Sequence, residues 1–247
     1  MLPARSVFLY VMVMATGLSP AEAQSPEELY RGGAFRAAGD SFAARALKEP
    51  DVSAHWYNLG NALYRAGEDA AARAAWIKAA RLAPRTAEIR EALRLVPAPD
   101  PSSAAASDVA FLTPGEIGVI GVALWTIGWL LVGLRQSRRV SAAVVFGGTA
   151  VLIFAVAKIR EYRQPIALIR HANTPLRGAP FASAPTRRAM DMSSTVEVLD
   201  RYAGWALVKR ANEGGWVQRS ELVPIGSTDV LAYSMLPDPR APQGGAR

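Results

Sequence analysis

Two long apolar runs form the most continuous hydrophobic pattern in this chain. They occupy positions 117–134 and 140–157, carry no charged side chain, and are separated only by a short basic segment. At a rise of about 1.5 Å per residue, each run approaches the hydrocarbon thickness of a bilayer as a helix. The alternative, two buried helices of a soluble protein, would need a larger protein shell than this chain provides. The pattern predicts a two-helix transmembrane hairpin, with helices over 114–134 and 140–158.

Small residues within these runs predict close contact between the two helices. Gly118, Gly121 and Gly128 lie along the first run, and Ala143 and Gly147 form a small-xxx-small pair in the second. Neither run contains an ionisable residue, which argues against a proton relay, an ion pathway or a transporter.

The N-terminus has the residue order of a secretory signal peptide. Arg5 precedes an apolar stretch, which ends in the small-residue triplet Ala21-Glu22-Ala23. We expect segment 1–23 to be a signal peptide cleaved after Ala23, with an uncleaved membrane anchor as the alternative. In both cases the chain is exported from residue 24 onward.

Segment 24–96 has the periodicity of paired amphipathic helices. Trp56, Leu59, Gly60 and Leu63 share one helix face, and a second helix follows Gly67. This spacing resembles the tetratricopeptide repeat, whose signature positions are occupied by Trp56, Leu59, Gly60, Ala72, Trp76, Ala79 and Pro84.

A weaker copy of the repeat lies about 34 residues earlier. Gly33, Ala38, Phe42 and Pro50 match it, but Arg45 replaces an expected small residue. A capping helix is predicted after Pro84, with Ile89, Leu93 and Val96 on its inner face. Because two repeats fall short of the three that usually form a stable solenoid, we expect the module to lean on another copy, a partner or the rest of the chain.

One face of the first helix in the better repeat carries polar residues that could grip a partner. Tyr57, Asn58, Asn61 and Arg65 lie away from the Trp56 stripe, on the face that lines the groove of repeat proteins. Amide and guanidinium donors suit an anionic peptide end. The alternative is an ordinary solvated helix surface.

The segments on either side of the hairpin differ in composition. Positions 97–113 are rich in Pro, Ala and Ser and predict a linker that lets the repeats move relative to the membrane. Positions 226–247 are rich in Pro and Gly and predict a mobile tail.

Segment 164–225 alternates short β-rich stretches with turn clusters. The predicted strands are 166–170, 195–199, 205–209 and 215–218. Four or five strands in so short a segment predict a small closed barrel. The order of Thr174-Pro175-Leu176-Arg177, Gly204-Trp205, Gly215-Trp216-Val217 and Leu222-Val223 resembles a bacterial SH3-like domain.

Three aromatic residues of this segment are candidates for a ligand surface. Tyr202, Trp205 and Trp216 could bind an extended peptide or a glycan. Trp216 has a competing role as a barrel-core residue, because large aromatic side chains dominate small cores.

The amino-acid composition excludes several kinds of functional site. The 247 residues carry a net charge of +7 and no cysteine, so the chain itself supplies no disulfide, thiolate ligand or thiol nucleophile. Most of the basic residues are scattered or lie beside the apolar runs, which indicates membrane anchoring rather than nucleic-acid binding. No motif predicts a catalytic residue, a metal site or a cofactor.

Topology follows from the export signal and the charges. Arg135, Arg138 and Arg139 make segment 135–139 the predicted cytoplasmic turn by the positive-inside rule. Two crossings then place both soluble modules in the periplasm, anchored in the bacterial inner membrane.

Exported repeats, a membrane hairpin and an SH3-like segment, in this order, resemble the BatE-type proteins of the bacterial Bat aerotolerance group. The resemblance covers nearly the whole chain after residue 23. It implies a complex with von Willebrand A-type partner proteins, linked to envelope stress or oxygen tolerance.

The fold class expected from these patterns is a multidomain membrane protein with helical repeats, a transmembrane hairpin and a small all-β barrel. The favoured function is a non-enzymatic scaffold that presents both modules to membrane or periplasmic proteins. The alternative is an envelope factor that binds peptidoglycan and positions a separate cell-wall enzyme. Homo-oligomerisation is compatible with both.

Overall fold

The computed structural model describes residues 24–106, 110–134 and 137–225, which form eight helices and one antiparallel sheet. The predicted signal peptide, the predicted tail and residues 135–136 of the predicted turn lie outside these ranges. The helices are α1 Pro26–Arg31, α2 Phe35–Lys48, α3 Ser53–Arg65, α4 Asp69–Leu82, α5 Ala87–Leu95, α6 Pro101–Ala106, α7 Pro114–Gly133 and α8 Arg138–Arg163. The strands are β1 Ile166–Ile169, β2 Thr174–Arg177, β3 Thr186–Met190, β4 Thr195–Tyr202, β5 Trp205–Arg210, β6 Glu213–Gln218 and β7 Leu222–Pro224.

Helices α1 to α4 form two successive helix pairs with matching geometry. Helices α2 and α4 both have 14 residues and begin about 34 residues apart, the length of a tetratricopeptide unit. Gly33 and Gly67, which precede them, both adopt φ +81°, a left-handed conformation that glycine takes without steric cost. The internal repeat expected from the sequence is therefore present in the backbone.

In the core between these helices, large aromatic side chains pack against small residues. Trp56 and Trp76 are both buried, and the indole of Trp76 lies where a side chain at Gly60 would have to go. The unexpected Arg45 of the first copy lies at the surface, where its guanidinium pairs with Glu27 at 2.5 Å. The first copy thus replaces a packing contact with an ion pair to its shortened first helix.

Helix α5 caps the helical module as expected. Its inner face buries Ile89, Leu93 is partly buried, and Val96 follows the helix into the same core. Arg73 of α4 donates a hydrogen bond to the carbonyl oxygen of Val96 at 2.5 Å, which ties down the end of the cap.

Helices α7 and α8 form an antiparallel hairpin. Both are long enough and apolar enough to cross a membrane, and only 17% of each apolar window is buried in the protein. Such exposure is typical of a membrane span rather than of a soluble core helix. Thr113 and Glu116 form a capping box that starts α7.

The close contacts in the hairpin differ in part from those expected. Gly121 and Gly128 do face α8, where Leu152 and Val145 approach them. The prediction was wrong at Gly118 and Gly147, whose added Cβ atoms would meet nothing within 4 Å, and at Ala143, which is exposed. On α8 the buried small residues are instead Ser141, Gly148 and Ala155.

The seven strands form an open sheet rather than the closed barrel predicted from the sequence. Their order is β3-β2-β6-β5-β4-β1-β7, which leaves β3 and β7 as edges. Strand β7 has only three residues and ends in Pro224, which lacks the N–H donor that a further pairing strand would need. Strand β3 carries exposed residues at Thr186–Ala189, as is usual for a sheet edge.

The helical module and the sheet share one hydrophobic core. Leu168 of β1, Val223 of β7 and the adjacent Ile225 belong to the same buried cluster as Trp56 and Trp76. Strand β1 is buried on both faces, since Ala167 and Ile169 contribute to the separate core of the sheet. The helical module therefore leans on the rest of the chain, one of the three options left open by its short repeat array.

The segment predicted as a flexible linker is attached to the sheet. Residues Pro101–Ala106 form α6, and Asp100 just before it pairs with Arg210 of β5. The hydroxyl of Ser103 accepts a hydrogen bond from the backbone N–H of Thr195 at 3.0 Å. The segment is thus attached to the sheet, whereas the sequence predicts a free linker.

Asp100 provides a test of this attachment. Burial opposes its ionisation, but hydrogen bonds from Ser102 and Ser103 and the charge of Arg210 outweigh burial and hold the pKa of Asp100 well below its usual 3.8. A carboxylate with a lowered folded-state pKa stabilises the fold fully above its unfolded pKa, and that stability is lost as the pH falls through the folded value.

We therefore expect Asp100→Asn to lower the free energy of unfolding by about 1–3 kcal/mol at pH 7. The difference from the unmodified protein should persist down to about pH 4 and shrink in stronger acid. Denaturant titrations over this pH range measure it. Asp200→Asn is the matched control, because among the described residues Asp200 accepts a hydrogen bond only from the neighbouring Arg201 backbone N–H. A difference that vanishes already between pH 7 and pH 5 would contradict the assignment.

Two further contacts attach the helical module to the hairpin. Arg85 forms a two-bond ion pair with Glu116 at the start of α7, with distances of 2.5 and 3.2 Å. The guanidinium of Arg81 lies 5.0 Å from the ring centroid of Tyr162 near the end of α8. Both apolar helices thus meet the repeats at the same end of the hairpin.

Candidate functional site

The polar face predicted on α3 is largely engaged within the protein. Asn61 accepts a hydrogen bond from the Trp76 indole N–H at 3.1 Å. The guanidinium of Arg65 lies 4.5 Å from the ring centroid of Phe35 on α2. The side-chain oxygen of Asn61 and one face of the Arg65 guanidinium are thus occupied by contacts within the helical module.

The other two residues of this face are only partly accessible. Tyr57 packs against the helical core, and Asn58 is half-buried. The four predicted residues share a helix, but the structure does not leave them together as an open groove. They remain weaker candidates for partner binding than the sheet.

The three aromatics predicted on the sheet lie on a common face. Tyr202 pairs with Trp205 across β4 and β5, and Trp216 pairs with Leu207, two residues after Trp205. Residues two apart in a strand point to the same side, so Tyr202, Trp205, Leu207 and Trp216 share one face of the sheet. We call this set the aromatic face.

The aromatic face lies opposite the buried core of the sheet. Its neighbours Ala206, Val208 and Val217, which alternate with it, are buried in that core. Tyr202 is 63% exposed, while Trp205 and Trp216 are half-buried. Trp216 is therefore not a residue of the sheet core, and its partial exposure allows a ligand to reach it.

The aromatic face offers stacking surface next to a cation. Arg177 of β2 pairs with Trp216 in register, and its guanidinium donates to the carbonyl oxygen of Ala184 at 2.8 Å. Exposed aromatic rings beside polar groups bind peptide side chains or sugar rings. The position of Gly215 is fixed by close packing, because an added Cβ would lie 2.6 Å from Leu176.

A buried polar cluster that sequence spacing could not reveal joins the turn before β7 to the turn before β2. His171 Nδ1 lies 2.8 Å from a Glu221 carboxylate oxygen, and the Thr174 hydroxyl lies 3.2 Å from the same oxygen and 2.8 Å from the carbonyl oxygen of His171. Glu221 is separated from His171 by 50 positions, so no local sequence motif predicts this pair. The cluster satisfies a buried carboxylate and stabilises this end of the sheet.

The described part of the chain does not contain a cluster of side chains suited to a metal ion. Within residues 24–106, 110–134 and 137–225, no group of three or more His, Cys, Asp or Glu side chains could hold a metal ion.

Comparison of this chain with protein family models, with curated proteins and with solved structures finds no match.

Proposed function

We propose that this chain is a non-enzymatic, membrane-anchored scaffold that presents its helical repeats and its sheet to other membrane or periplasmic proteins. The observation that carries the proposal is the aromatic face, a partly exposed set of rings on a sheet that shares a core with the repeats and follows α8 directly in the chain. Aromatic anchors of this kind dominate protein interfaces.

The attachments within the chain support a rigid platform rather than two independent modules. The sheet shares a core with the repeats, and the repeats contact both apolar helices through Arg81 and Arg85. A preorganised surface loses less conformational freedom when a partner binds. The hairpin would hold this platform at the membrane in a constant orientation.

The resemblance to BatE-type proteins supports a more specific proposal. The partners would be von Willebrand A-type proteins in the bacterial inner membrane, and the process would be envelope stress resistance or aerotolerance. Export by the predicted signal peptide and the basic turn would place the platform in the periplasm.

Peptidoglycan binding is the second candidate function. Trp205 and Trp216 are diagonal neighbours on the aromatic face, an arrangement suited to stacking on successive sugar rings. In this case the protein would position a separate cell-wall enzyme.

Photo-crosslinking in intact membranes tests the proposal. A photoreactive residue at position 199, which is half exposed and lies on the strand that leads to Tyr202, should crosslink to membrane or periplasmic proteins. We expect Tyr202→Ala with Trp205→Ala to reduce these crosslinks about tenfold, as removal of interface anchors does. Phe181→Ala is the control, because Phe181 is similarly exposed but lies in the loop between β2 and β3.

The outcomes separate the two candidates. Protein crosslinks that survive the double substitution, or that Phe181→Ala reduces equally, would contradict the role of the aromatic face. Retention of the full-length protein on purified peptidoglycan, lost in the double variant and kept in Phe181→Ala, would favour the second candidate.

A further inference from the structure

A cavity of about 450 Å³ lies where the repeats, the sheet and the ends of both apolar helices meet. Lys78 of α4, Pro114 of α7, Tyr162 of α8 and the sheet residues Arg201 and Arg219 all line it. Its volume is within the usual range for small-molecule sites. We call it the junction cavity.

The lining of the junction cavity is basic on one part and apolar on the rest. Lys78, Arg201 and Arg219 are cations, and no Asp or Glu belongs to the lining. The apolar part includes Ile159 of α8 and Ile166 of β1. A ligand that fits both parts carries an anionic group and a hydrocarbon portion.

Lys78 is held in a position that favours an anionic ligand. Its Nζ lies 5.8 Å from the Trp56 ring centroid, and Lys78 forms no ion pair within the described residues. Burial lowers the pKa of Lys78, against an opposing effect of Asp51. Because a partly buried cation is costly to leave without a counter-charge, a bound anion would stabilise it.

An apolar groove on α8 adjoins the junction cavity. Thr149, Leu152, Ile153 and Val156 line the apolar part of this groove. Arg160 and Glu161 line its end, which reaches the cavity at Gln164. The groove runs along the apolar part of α8, while the cavity lies at the end where the helix leaves its apolar window. In a bilayer, the groove would face acyl chains and the cavity would lie at headgroup level.

We propose that the junction cavity binds the headgroup of an anionic phospholipid, with its phosphate at Lys78, Arg201 and Arg219 and an acyl chain in the groove on α8. The charge of the lining selects an anionic headgroup over a zwitterionic one. The adjoining groove selects a lipid over a soluble phosphate, because a soluble anion would leave it unfilled. This proposal goes beyond the scaffold function and requires no protein partner.

A lipid in this position would stabilise the arrangement of the platform on the membrane. It would contact α4, α8 and the sheet together, which are three of the four parts that line the junction cavity. A ligand that binds only the folded arrangement raises its stability in proportion to the logarithm of ligand concentration over Kd. The platform would thus be most stable in membranes rich in acidic lipid.

Thermal unfolding of the full-length protein in detergent tests the proposal. Phosphatidylglycerol should raise the melting temperature in a saturable way, and phosphatidylcholine with the same acyl chains should not. Glycerol 3-phosphate and inorganic phosphate, which lack acyl chains, distinguish a lipid site from a site for soluble anions. Equal stabilisation by phosphatidylcholine or by glycerol 3-phosphate would overturn the proposal.

Paired substitutions test whether phosphatidylglycerol binds in the junction cavity. Lys78→Gln with Arg219→Gln should weaken the apparent affinity for phosphatidylglycerol at least about tenfold, as the loss of charge-assisted hydrogen bonds does. Lys209→Gln with Arg188→Gln removes the same charge at exposed positions outside the cavity and should change nothing.

A third variant keeps the test valid if Lys78→Gln with Arg219→Gln causes a folding defect. Arg201→Gln with Arg219→Gln leaves the partly buried Lys78 in place, and Arg201 is exposed. If it keeps the unliganded melting temperature, it should still lose affinity for phosphatidylglycerol about tenfold. Affinity equal to that of the Lys209 and Arg188 control would contradict the site.

Discussion

Replacement of Gly148 by leucine is expected to force α7 and α8 apart. A Cβ at this position would lie 2.5 Å from the backbone nitrogen and 2.9 Å from the Cα of Trp125. Backbone atoms cannot rotate away as a side chain can, so one helix must shift. We expect a loss of at least about 3 kcal/mol in unfolding free energy, at the upper end of overpacking costs, and a fall of about 10 °C in melting temperature.

Gly147 provides the matched control one residue away. A Cβ there would meet no atom within 4 Å, so Gly147→Leu adds the same volume to the exposed side of the helix. Thermal unfolding in detergent compares the two variants, and hydrogen exchange should localise the defect of Gly148→Leu to α7 and α8. Equal melting temperatures for the two variants would show that the hairpin packs on a different side of α8.

Replacement of Trp76 by alanine is expected to have the second large effect. Trp76 is 0% exposed, lies 5.6 Å from the Tyr64 ring centroid and fills the space above Gly60. Removal of a fully buried tryptophan costs about 3–5 kcal/mol through lost apolar contact and the cavity left behind. The Asn61 side chain would also lose its indole donor.

The core that the repeats and the sheet share predicts a second effect of Trp76→Ala, on hydrogen exchange in the sheet. Because Leu168 and Val223 belong to the same cluster as Trp76, hydrogen exchange should rise in β1 and β7 as well as in the helices. Trp205→Ala is the control, since Trp205 is only half-buried and outside both cores. An exchange increase confined to α1–α5 would indicate that the repeats and the sheet unfold independently.

The sequence predicted most of the helices and most of the strands correctly because their signals are local, but it predicted a linker where α6 forms. The spacing of Trp56, Leu59 and Leu63 lies within one helix, and the strands that contain Trp205 and Trp216 alternate in burial as expected. Tetratricopeptide and SH3-like identity remain interpretations of these patterns. The strands β2, β3 and β7 extend the sheet beyond the four stretches predicted as strands.

The sequence predicted only part of the candidate site. Whether a side chain is free to bind a ligand depends on the residues that contact it in the folded chain. The face that carries Asn61 and Arg65 was located correctly, but their contacts with Trp76 and Phe35 come from other helices. Tyr202, Trp205 and Trp216 share a face because of the strand register, which no single strand reveals. The junction cavity combines Lys78 with Arg201 and Arg219, which no local motif connects.

The sequence by itself determined the two apolar helices, the repeated helix pairs and the β-rich segment, since each depends on periodicity within a short window. Only the tertiary structure decided which side of α8 meets α7, that the sheet stays open, and that the repeats and the sheet share a core. These features depend on the rotation of each element and on the contacts of residues far apart in the chain. A residue such as Gly147 or Gly148 is equally small in the sequence, and only the packing distinguishes them.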